Sequence, residues 1–365
     1  MIQITAGKEP IFSAAVFTGR SREASKRSMQ DRLTSGGKAM IDSFGRRISY
    51  VRLSVTDRCD LRCRYCMAEK MQFLPKAQIL SLEEIEALSD IFIARGVRRI
   101  RLTGGEPLVR RGIVGLVEKL GDRIGHGLDE LTLTTNGTLL AQHAEALFSA
   151  GIRRINVSLD SRRPDRFRYI TRRGDLSAVL AGIDAAWSAG LSVKINMVAL
   201  KGINEDEIEE MLFWCAAEGH DLTLIETMPL GDVEEDRSLH YLPLSEVRKR
   251  LDERFGLTPC ISRTGGPARY FEVEGLPVRL GLITPLSHNF CDGCNRIRVS
   301  ATGTVYGCLG HDQKVELRDL IRAGGAGEVE RALDQLLAGK PKGHDFRIDG
   351  QSRPAVDRHM NVTGG

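Results

Sequence analysis

The chain has 365 residues, of which 42% are hydrophobic and 27% are charged, and its formal net charge is +4. This composition is typical of a folded soluble protein rather than of a disordered one. No run of about 18 apolar residues occurs, so we predict no membrane span. The small net charge gives no reason to expect a nucleic-acid partner. Without a recognisable secretory signal, we expect a cytoplasmic protein.

Residues 1–39 are predicted to form a disordered N-terminal extension. The stretch from Arg20 to Arg32 is rich in arginine and serine, as in a transit peptide, but Glu23 and Asp31 argue against that interpretation. A further alternative is that Met40 is the natural start of the chain. The sequence leaves open whether these residues are ever folded.

One pattern, in which a glycine ends a helix and a strand follows, occurs three times, at 95–103, 150–158 and 189–197. Glycine is the expected residue just past a helix because it adopts positive φ at little cost. Ser81 and Glu84 form a capping box before a helix that continues to Ile91 or Phe92. Further helices are predicted at 139–150, 177–189 and 205–218, the last with Asn204 as N-cap, and strands at 49–55, 98–103, 130–135, 154–159, 193–199, 222–228 and 278–283.

Strands that alternate with helices predict parallel β/α units. We therefore predict an α/β fold: a partial TIM-like (β/α)6 barrel over 40–260, then a C-terminal region over 261–365. A doubly wound open sheet is the alternative. In a barrel, functional residues gather at the carboxyl ends of the strands. The polar or glycine-rich segments that follow the predicted strands fall there: 57–66, 104–107, 134–137, 158–160 and 226–228.

Six of the eight cysteines form two tight groups, and clustered cytosolic thiols are typical of metal ligands rather than of disulfides. The isolated Cys215 lies in a helical pattern and is predicted to be a core residue. The first group, Cys59, Cys63 and Cys66, can direct three thiolates at one 4Fe–4S cubane. Such clusters normally have four cysteine ligands, so one iron is left open. A structural zinc site is the alternative, although it usually has four ligands in paired Cys-x2-Cys spacing.

This loop, with Tyr65 before its last cysteine, resembles the signature of the radical S-adenosylmethionine (SAM) superfamily. The resemblance implies that the open iron chelates the amino and carboxylate groups of SAM. Electron transfer then releases methionine and a 5′-deoxyadenosyl radical. The segment Gly104-Gly105-Glu106-Pro107 follows the second predicted strand and resembles the glycine-rich element that contacts the methionine amino group in that superfamily.

The second cysteine group is Cys291, Cys294 and Cys308, again without an evident fourth cysteine. A zinc site completed by His288 or His311 is one interpretation. A second 4Fe–4S cluster with an open iron fits better beside the first, and we predict it in the C-terminal region.

Five cations have positions that suggest an anionic ligand. If 295–299 is a strand, Arg296 and Arg298 lie on the same face and form a fork suited to a phosphate or a base edge. Arg52, Arg101 and Lys194 each lie between apolar neighbours in a predicted parallel strand. Such strands are buried on both faces and a buried unpaired charge is costly, so these cations are expected to face anions. Protein carboxylates are one possibility, and a nucleoside triphosphate is the other.

Taken together, these segments resemble the GTP 3′,8-cyclase family (the molybdenum cofactor biosynthesis protein A family), from about Phe44 to Gly365. The resemblance rests on the phrases at 50–59, 101–107, 156–161 and 290–300 and on the terminal Gly364-Gly365. Two positions depart from the family pattern, Asp60 and Ala68, and neither is a ligand position.

The resemblance implies a role for each of the site residues. Cys59, Cys63 and Cys66 hold the SAM cluster, and Cys291, Cys294 and Cys308 hold the second cluster, whose open iron meets the guanine. The SAM site comprises Tyr65, Gly105, Ser158 and Met228. The GTP site comprises Arg52, Arg101, Thr134, Lys194, Arg296, Ile297 and Arg298. The catalytic set comprises Arg52, Arg296, Arg298, Gly364 and Gly365, the last two on a tail that enters the active site.

The implied reaction converts GTP to (8S)-3′,8-cyclo-7,8-dihydroguanosine 5′-triphosphate, the first step of molybdenum cofactor (molybdopterin) biosynthesis. The radical takes hydrogen from C3′ of GTP, and C3′ then bonds to C8 of guanine. The implied partners are an electron donor and a downstream cyclic pyranopterin monophosphate synthase. A homodimer is one candidate for the oligomeric state, which the sequence leaves open. The alternatives are a peptide-modifying radical SAM enzyme with an auxiliary cluster and a zinc-dependent nucleic-acid-binding protein.

Overall fold

The computed structural model describes four stretches of the chain, 38–233, 236–260, 265–348 and 354–364. Most of the predicted N-terminal extension lies outside these residues. Met40 lies inside them and is fully buried. Its backbone N–H donates to the Arg95 carbonyl at 3.3 Å, and its carbonyl accepts from the Ile48 N–H at 2.8 Å, so the ordered fold includes this residue.

Six strands follow one another in chain order, and each is parallel to the next. At least one α-helix lies between consecutive strands, which confirms the predicted β/α units and most of their predicted positions. The strands are β1 (Tyr50–Ser54), β2 (Arg99–Thr103), β3 (Glu130–Thr135), β4 (Arg154–Ser158), β5 (Ser192–Ala199) and β6 (Asp221–Glu226). The helices are α1 (Leu82–Ala94), α2 (Ile113–Gly121), α3 (Ala144–Ser149), α4 (Pro164–Thr171), α5 (Leu176–Ser188) and α6 (Ile208–Ala217).

The C-terminal part of the chain extends this sheet at both ends. Its strands are β7 (Leu257–Cys260), β8 (Arg269–Val273), β9 (Leu276–Ile283), β10 (Arg296–Val299), β11 (Thr304–Tyr306) and β12 (Lys314–Glu316). Its helices are α7 (Leu244–Phe255), α8 (Arg318–Arg322), α9 (Ala326–Ala338) and α10 (Met360–Thr363). The strand order is β12-β11-β10-β1-β2-β3-β4-β5-β6-β9-β8-β7. The fold is therefore mixed α/β, as predicted, with a sheet that is not closed.

The sheet bends strongly enough to bring its two ends to one cavity. Tyr270 lies on β8, near one end of the strand order, and Arg298 lies on β10, near the other end. Both side chains nevertheless line the same cavity. A flat sheet could not achieve this, so the parallel strands must curve around the space between them.

Capping residues and local sequence patterns predicted some helix ends correctly and others incorrectly. The capping box of α1 is present, with the Ser81 side chain accepting from the Glu84 N–H and the Glu84 carboxylate accepting from the Ser81 N–H. The predicted helix at 139–150 is instead a 3₁₀ turn followed by α3. Asn204 precedes the 3₁₀ turn before α6, but its side chain caps no helix amide there. It donates to the carbonyls of Asp160 and Val198, so long-range contacts override the local cap.

Cys215 on α6 is fully buried, as predicted for a core residue. No helix in the described stretches is both long and apolar enough to cross a membrane.

We predict opposite effects from two glycine-to-alanine substitutions inside helices. A Cβ added at Gly182 of α5 would lie 2.4 Å from the Gly137 carbonyl oxygen, whereas a Cβ at the exposed Gly115 of α2 would meet nothing within 4 Å. Gly182→Ala should therefore lower the free energy of unfolding by about 1–3 kcal/mol through overpacking. Gly115→Ala should raise it by up to about 1 kcal/mol through helix propensity. Denaturant unfolding measures both; equal effects would contradict the close approach of α5 to the turn after β3.

Candidate active site

One cavity collects the predicted cations. It encloses about 1070 Å³, including space open to solvent. The structure places all five of the cations predicted to face an anion on its walls: Arg52, Arg101, Lys194, Arg296 and Arg298. Ile297 and Met228, assigned to the GTP and SAM sites by resemblance, also line it.

The register of three neighbouring parallel strands aligns three of these arginines. Arg52 of β1 is paired with Arg101 of β2 on one side and with Arg298 of β10 on the other. Paired residues in parallel strands point to the same face, so the three guanidinium groups form a row. Burial, followed by repulsion from Arg298, lowers the pKa of Arg52. Burial, followed by repulsion from Arg296, lowers the pKa of Arg298 to about 10, which still leaves it charged at neutral pH.

Carboxylates of the described residues do not neutralise this charge. Within the described stretches, none of the five cations forms an ion pair with a carboxylate, and the Nε atoms of Arg52, Arg101 and Arg296 are buried without a hydrogen-bond partner. Lys194 Nζ donates to the Tyr270 hydroxyl at 2.5 Å. Burial, followed by repulsion from Arg154, lowers the pKa of Lys194 to about 7. This arrangement favours an anionic ligand over the alternative of internal carboxylates.

The second cysteine group lies on the same cavity. Cys291, Cys294 and Cys308 all contribute to its wall, and the Cys294 N–H donates to the Cys291 carbonyl at 3.0 Å. Although burial opposes it, the pKa of Cys294 is lowered, because Arg296 and Lys340 favour the thiolate. Burial raises the pKa of Cys308, so the surroundings favour the thiolate, the form that binds iron, at Cys294 and disfavour it at Cys308. The position of all three cysteines on one cavity wall is what fits a shared second cluster.

Two arginines that sequence reasoning missed hold the backbone around this group. Arg46 Nη1 donates to the Cys291 carbonyl at 2.8 Å. Arg358 Nη2 donates to the Cys308 carbonyl at 3.2 Å and to the His311 carbonyl at 2.8 Å. These contacts join segments that are far apart in sequence, so no local pattern could have revealed them.

The zinc interpretation of this group relied on a histidine. His311 uses its Nε2 in a 2.9 Å hydrogen bond with the Gly343 carbonyl, so that nitrogen is engaged. Across the described part of the chain, no three His, Cys, Asp or Glu side chains are arranged to hold a single metal ion.

The first cysteine group lies in the loop after β1, and its three thiols are not on the cavity wall. The end of α4 fixes this loop. The N–H of Arg62 donates to the Thr171 carbonyl and that of Arg64 donates to the Ile170 carbonyl, each at 3.0 Å. These acceptors are carbonyls at a helix C-terminus, which have no partner within their own helix.

The three cysteines of the first group are half-buried, and their surroundings disfavour the thiolate form. Burial, followed by the nearby Glu106, raises the pKa of Cys59. Burial, followed by Cys66, raises the pKa of Cys63, and burial raises that of Cys66 to about 12. All three thiols therefore favour the protonated form, and the positive charge of a bound cluster would be needed to offset the cost of burying three thiolates.

Two of the residues assigned to SAM lie at this loop, Tyr65 within it and Gly105 packed against it, whereas Met228 lines the cationic cavity. The Tyr65 hydroxyl donates to Asp160 Oδ2 at 2.7 Å, which ties the loop to the end of β4, where Ser158 is the last strand residue. A Cβ added at Gly105 would lie 2.3 Å from the Arg58 carbonyl oxygen. The structure thus gives Gly105 a packing role against the cysteine loop, and its contact with SAM stays a prediction.

Glu106 joins the ends of β2 and β3 beneath this site. Its buried carboxylate accepts hydrogen bonds from the Leu108 N–H, the Thr135 hydroxyl and the Asn136 N–H. Asn136 Nδ2 in turn donates to Asp60 Oδ1 at 2.7 Å. The departure from the family pattern at Asp60 therefore still places an acceptor for the loop that follows β3.

The C-terminal tail reaches the arginine row. Arg298 Nη1 donates to the Gly364 carbonyl at 2.6 Å, and Asn361 Nδ2 donates to the Asp57 carbonyl at 3.0 Å. Gly364 has a φ of 71°, and an added Cβ would lie 2.0 Å from Thr103 Oγ1, so only glycine fits here. Gly365 lies outside the described residues.

Two further residues lie on this face of the sheet. Thr134 was predicted to contact GTP, whereas Asn156 was not assigned to the site. Thr134 is paired with Asn156, which is paired with Lys194. The Thr134 hydroxyl is buried without a partner among the described residues, but Thr134 is not on the cavity wall, and its contact with GTP stays a prediction. Asn156 lines the cavity and was missed. Its signal was a polar residue within an apolar strand, two positions before Ser158 and thus on the same face.

Comparisons with known families and relatives agree with this geometry. Residues 53–215 match the model of the radical SAM superfamily, and residues 220–346 match the model of Molybdenum Cofactor Synthesis C. A GTP 3′,8-cyclase of Rhizobium etli (strain CIAT 652) is 57% identical over 335 residues, which cover 91% of this chain and 96% of that protein. One of Rhizobium meliloti (strain 1021) is 58% identical over 329 residues, 89% of this chain and 94% of that protein.

Solved structures share the fold. The crystal structure of Streptococcus suis SuiB bound to S-adenosylmethionine has a TM-score of 0.57 and 14% identity, and the match covers 95% of this chain and 83% of that chain. SuiB bound to the precursor peptide SuiA has a TM-score of 0.55 and 13% identity, with 98% and 84% covered. At these identities the likeness concerns the fold alone. The close relatives, matched over nearly their whole length, show that the chain belongs to the GTP 3′,8-cyclase family of the radical SAM superfamily.

Proposed function

We propose that this chain is a radical SAM enzyme that converts GTP to (8S)-3′,8-cyclo-7,8-dihydroguanosine 5′-triphosphate, the first step of molybdenum cofactor biosynthesis. The observation that carries the proposal is the row of buried arginines, Arg101, Arg52 and Arg298, without carboxylate partners in the described stretches. A triphosphate is the kind of polyanion that such a row binds. Family membership gives the same substrate independently.

Membership of the radical SAM superfamily implies SAM and one 4Fe–4S cluster. We assign that cluster to Cys59, Cys63 and Cys66, and we assign a second 4Fe–4S cluster to Cys291, Cys294 and Cys308. The arguments for the second are the lowered pKa of Cys294 and the position of all three thiols on the cationic cavity.

The proposed architecture keeps the partial barrel. The first 39 residues are an extension, residues 40–260 form the barrel, and residues 261–365 form the C-terminal region. In favour of a partial barrel is the single cavity shared by β8 and β10, which lie toward opposite ends of the open sheet.

The bound cluster and SAM supply a 5′-deoxyadenosyl radical, and the protein supplies binding, orientation and exclusion of water. Lys194 and the arginine row bind the triphosphate and neutralise its charge. Arg296, which adjoins the second cysteine group, orients the guanine end. The Gly364 carbonyl accepts a hydrogen bond from Arg298 and so orients one guanidinium of the row.

The remaining site assignments and partners follow from the family. Tyr65, Gly105, Ser158 and Met228 are proposed to bind SAM, and Thr134 and Ile297 to contact GTP. An electron donor and a downstream cyclic pyranopterin monophosphate synthase are the proposed partners. Cytoplasmic localisation stays part of the proposal, with a homodimer as one candidate assembly.

Iron content tests the two cluster assignments. The anaerobically reconstituted chain should bind about eight irons, as two 4Fe–4S clusters require. Cys63→Ala and Cys294→Ala should each lower this to about four, because each removes one ligand of one cluster. Cys215→Ala is the matched control and should keep the full content, since Cys215 is buried on α6 away from both groups. Metal analysis with Mössbauer spectroscopy measures the result; bound zinc in place of iron would contradict both assignments.

The pH dependence of GTP binding tests the role of Lys194. Its pKa is about 7 in the free cavity, and a bound triphosphate favours the ammonium form. Below pH 7 the proton is already present and the affinity should vary little. Above pH 7 binding takes up a proton, so the affinity should fall by up to about tenfold per pH unit. Isothermal titration between pH 6 and 9 measures this.

Two variants serve as controls for Lys194. Lys194→Arg keeps its charge over this range and should abolish the dependence above pH 7. Lys194→Met should bind weakly at every pH. A wild-type affinity that does not change with pH would contradict the role of Lys194. A complete lack of GTP binding would contradict the substrate and favour a peptide-modifying radical enzyme instead.

A further inference from the structure

Lys340 is a buried lysine beside the second cysteine group that the resemblance did not assign. It follows α9 and is 2% exposed. Its Nζ donates to the Gly307 carbonyl at 2.5 Å and lies 3.6 Å from Cys294 Sγ, within the range of an N–H···S hydrogen bond. The ammonium therefore meets a proposed cluster ligand directly.

The position of Lys340 excludes a direct role in substrate binding. It is absent from the wall of the cavity that holds the five other cations. Among the described residues it forms no ion pair with a carboxylate. A buried ammonium is costly unless an anion is close, and the Cys294 sulfur is the adjacent group that can carry negative charge as a thiolate.

Contacts with the surrounding backbone hold Lys340 in this position. Its own N–H donates to the Leu337 carbonyl at 3.2 Å, which continues the end of α9. Its stem passes over Gly307, where an added Cβ would lie 3.5 Å from both Cβ and Cγ of Lys340. Packing of the stem against Gly307 and the hydrogen bond to the Gly307 carbonyl place the ammonium beside Cys294.

We propose that Lys340 is a positioning and tuning residue whose ammonium raises the reduction potential of the second cluster through Cys294. The inference rests on the proposed second cluster. Reduction adds a negative charge to a cluster, so a fixed positive charge and a hydrogen bond to a ligand sulfur stabilise the reduced form. The second cluster, which faces the guanine in the proposed site, is thereby easier to reduce than it would be without Lys340.

The test compares Lys340→Met with Lys342→Met in the full-length holoenzyme. Lys342 is exposed, so its substitution changes the net charge equally without touching a ligand. Iron content is measured first, and redox titration followed by EPR then gives the midpoint potential of each cluster. The full-length Cys63→Ala protein, which keeps only the second cluster, identifies which signal belongs to it.

Lys340→Met should retain about eight irons. At a fixed potential, its ratio of reduced to oxidised second cluster should fall at least tenfold, a downward shift of about 59 mV for one electron. The first cluster and the Lys342→Met protein should keep wild-type potentials. Lys340→Gln retains a donor for the Gly307 carbonyl and should shift the potential in the same direction, which covers the case in which the methionine variant does not assemble.

Three results would overturn the proposal, and they are distinguishable. About eight irons with an unchanged potential of the second cluster in both variants would exclude a tuning role for Lys340 while leaving the proposed clusters intact. About four irons in the wild-type chain would show that the second cluster itself is absent, which removes the basis of the inference as well. An equal shift in Lys342→Met would assign the effect to net charge and also overturn it.

Discussion

Positive charge buried without carboxylate partners among the described residues is the constraint on which the site depends. Arg101, Arg52 and Arg298 lie side by side because their strands are parallel and in register. Their mutual repulsion and the loss of hydration both disfavour the empty cavity. Interactions outside the cavity must therefore hold these arginines in place. A polyanion that binds among them would offset their mutual repulsion.

That outside support comes mainly from backbone groups and buried carboxylates. Glu106 accepts three hydrogen bonds between the ends of β2 and β3. Glu226 does the same at the end of β6, accepting from the N–H groups of Leu244, Leu286 and Ser287. Neither carboxylate pairs with an arginine of the cavity. Both carboxyl groups thus anchor loops at strand ends rather than neutralise arginines of the cavity.

Sequence patterns predicted the strands and helices better than the contacts that hold the site residues in place. Parallel β/α units follow from apolar runs and glycine caps, which act over a few residues. The inward direction of Arg52 and Lys194 followed from the same local reasoning, since a cation inside a buried strand needs an anion. The alignment of Arg52 with Arg298 depends on strand order, and β10 returns to pair with β1 from the far end of the chain.

Contacts that join distant segments could not be predicted at all. Arg46 and Arg358 bind carbonyls of the second cysteine group, and their own neighbours in sequence give no sign of it. Asn204 shows the converse, because a residue with good capping chemistry is used instead to join β4 to β5. In both cases the deciding partner is set by tertiary packing, which local propensity does not contain.

The C-terminal tail connects the two halves of the site. Asn361 donates to the Asp57 carbonyl next to the first cysteine group, and Arg358 donates to the Cys308 carbonyl in the second. Gly364 follows these anchors in sequence, and its carbonyl accepts a hydrogen bond from Arg298 of the arginine row. The tail therefore joins both cysteine groups to the arginine row through contacts between segments distant in sequence, although its sequence alone resembles a flexible end.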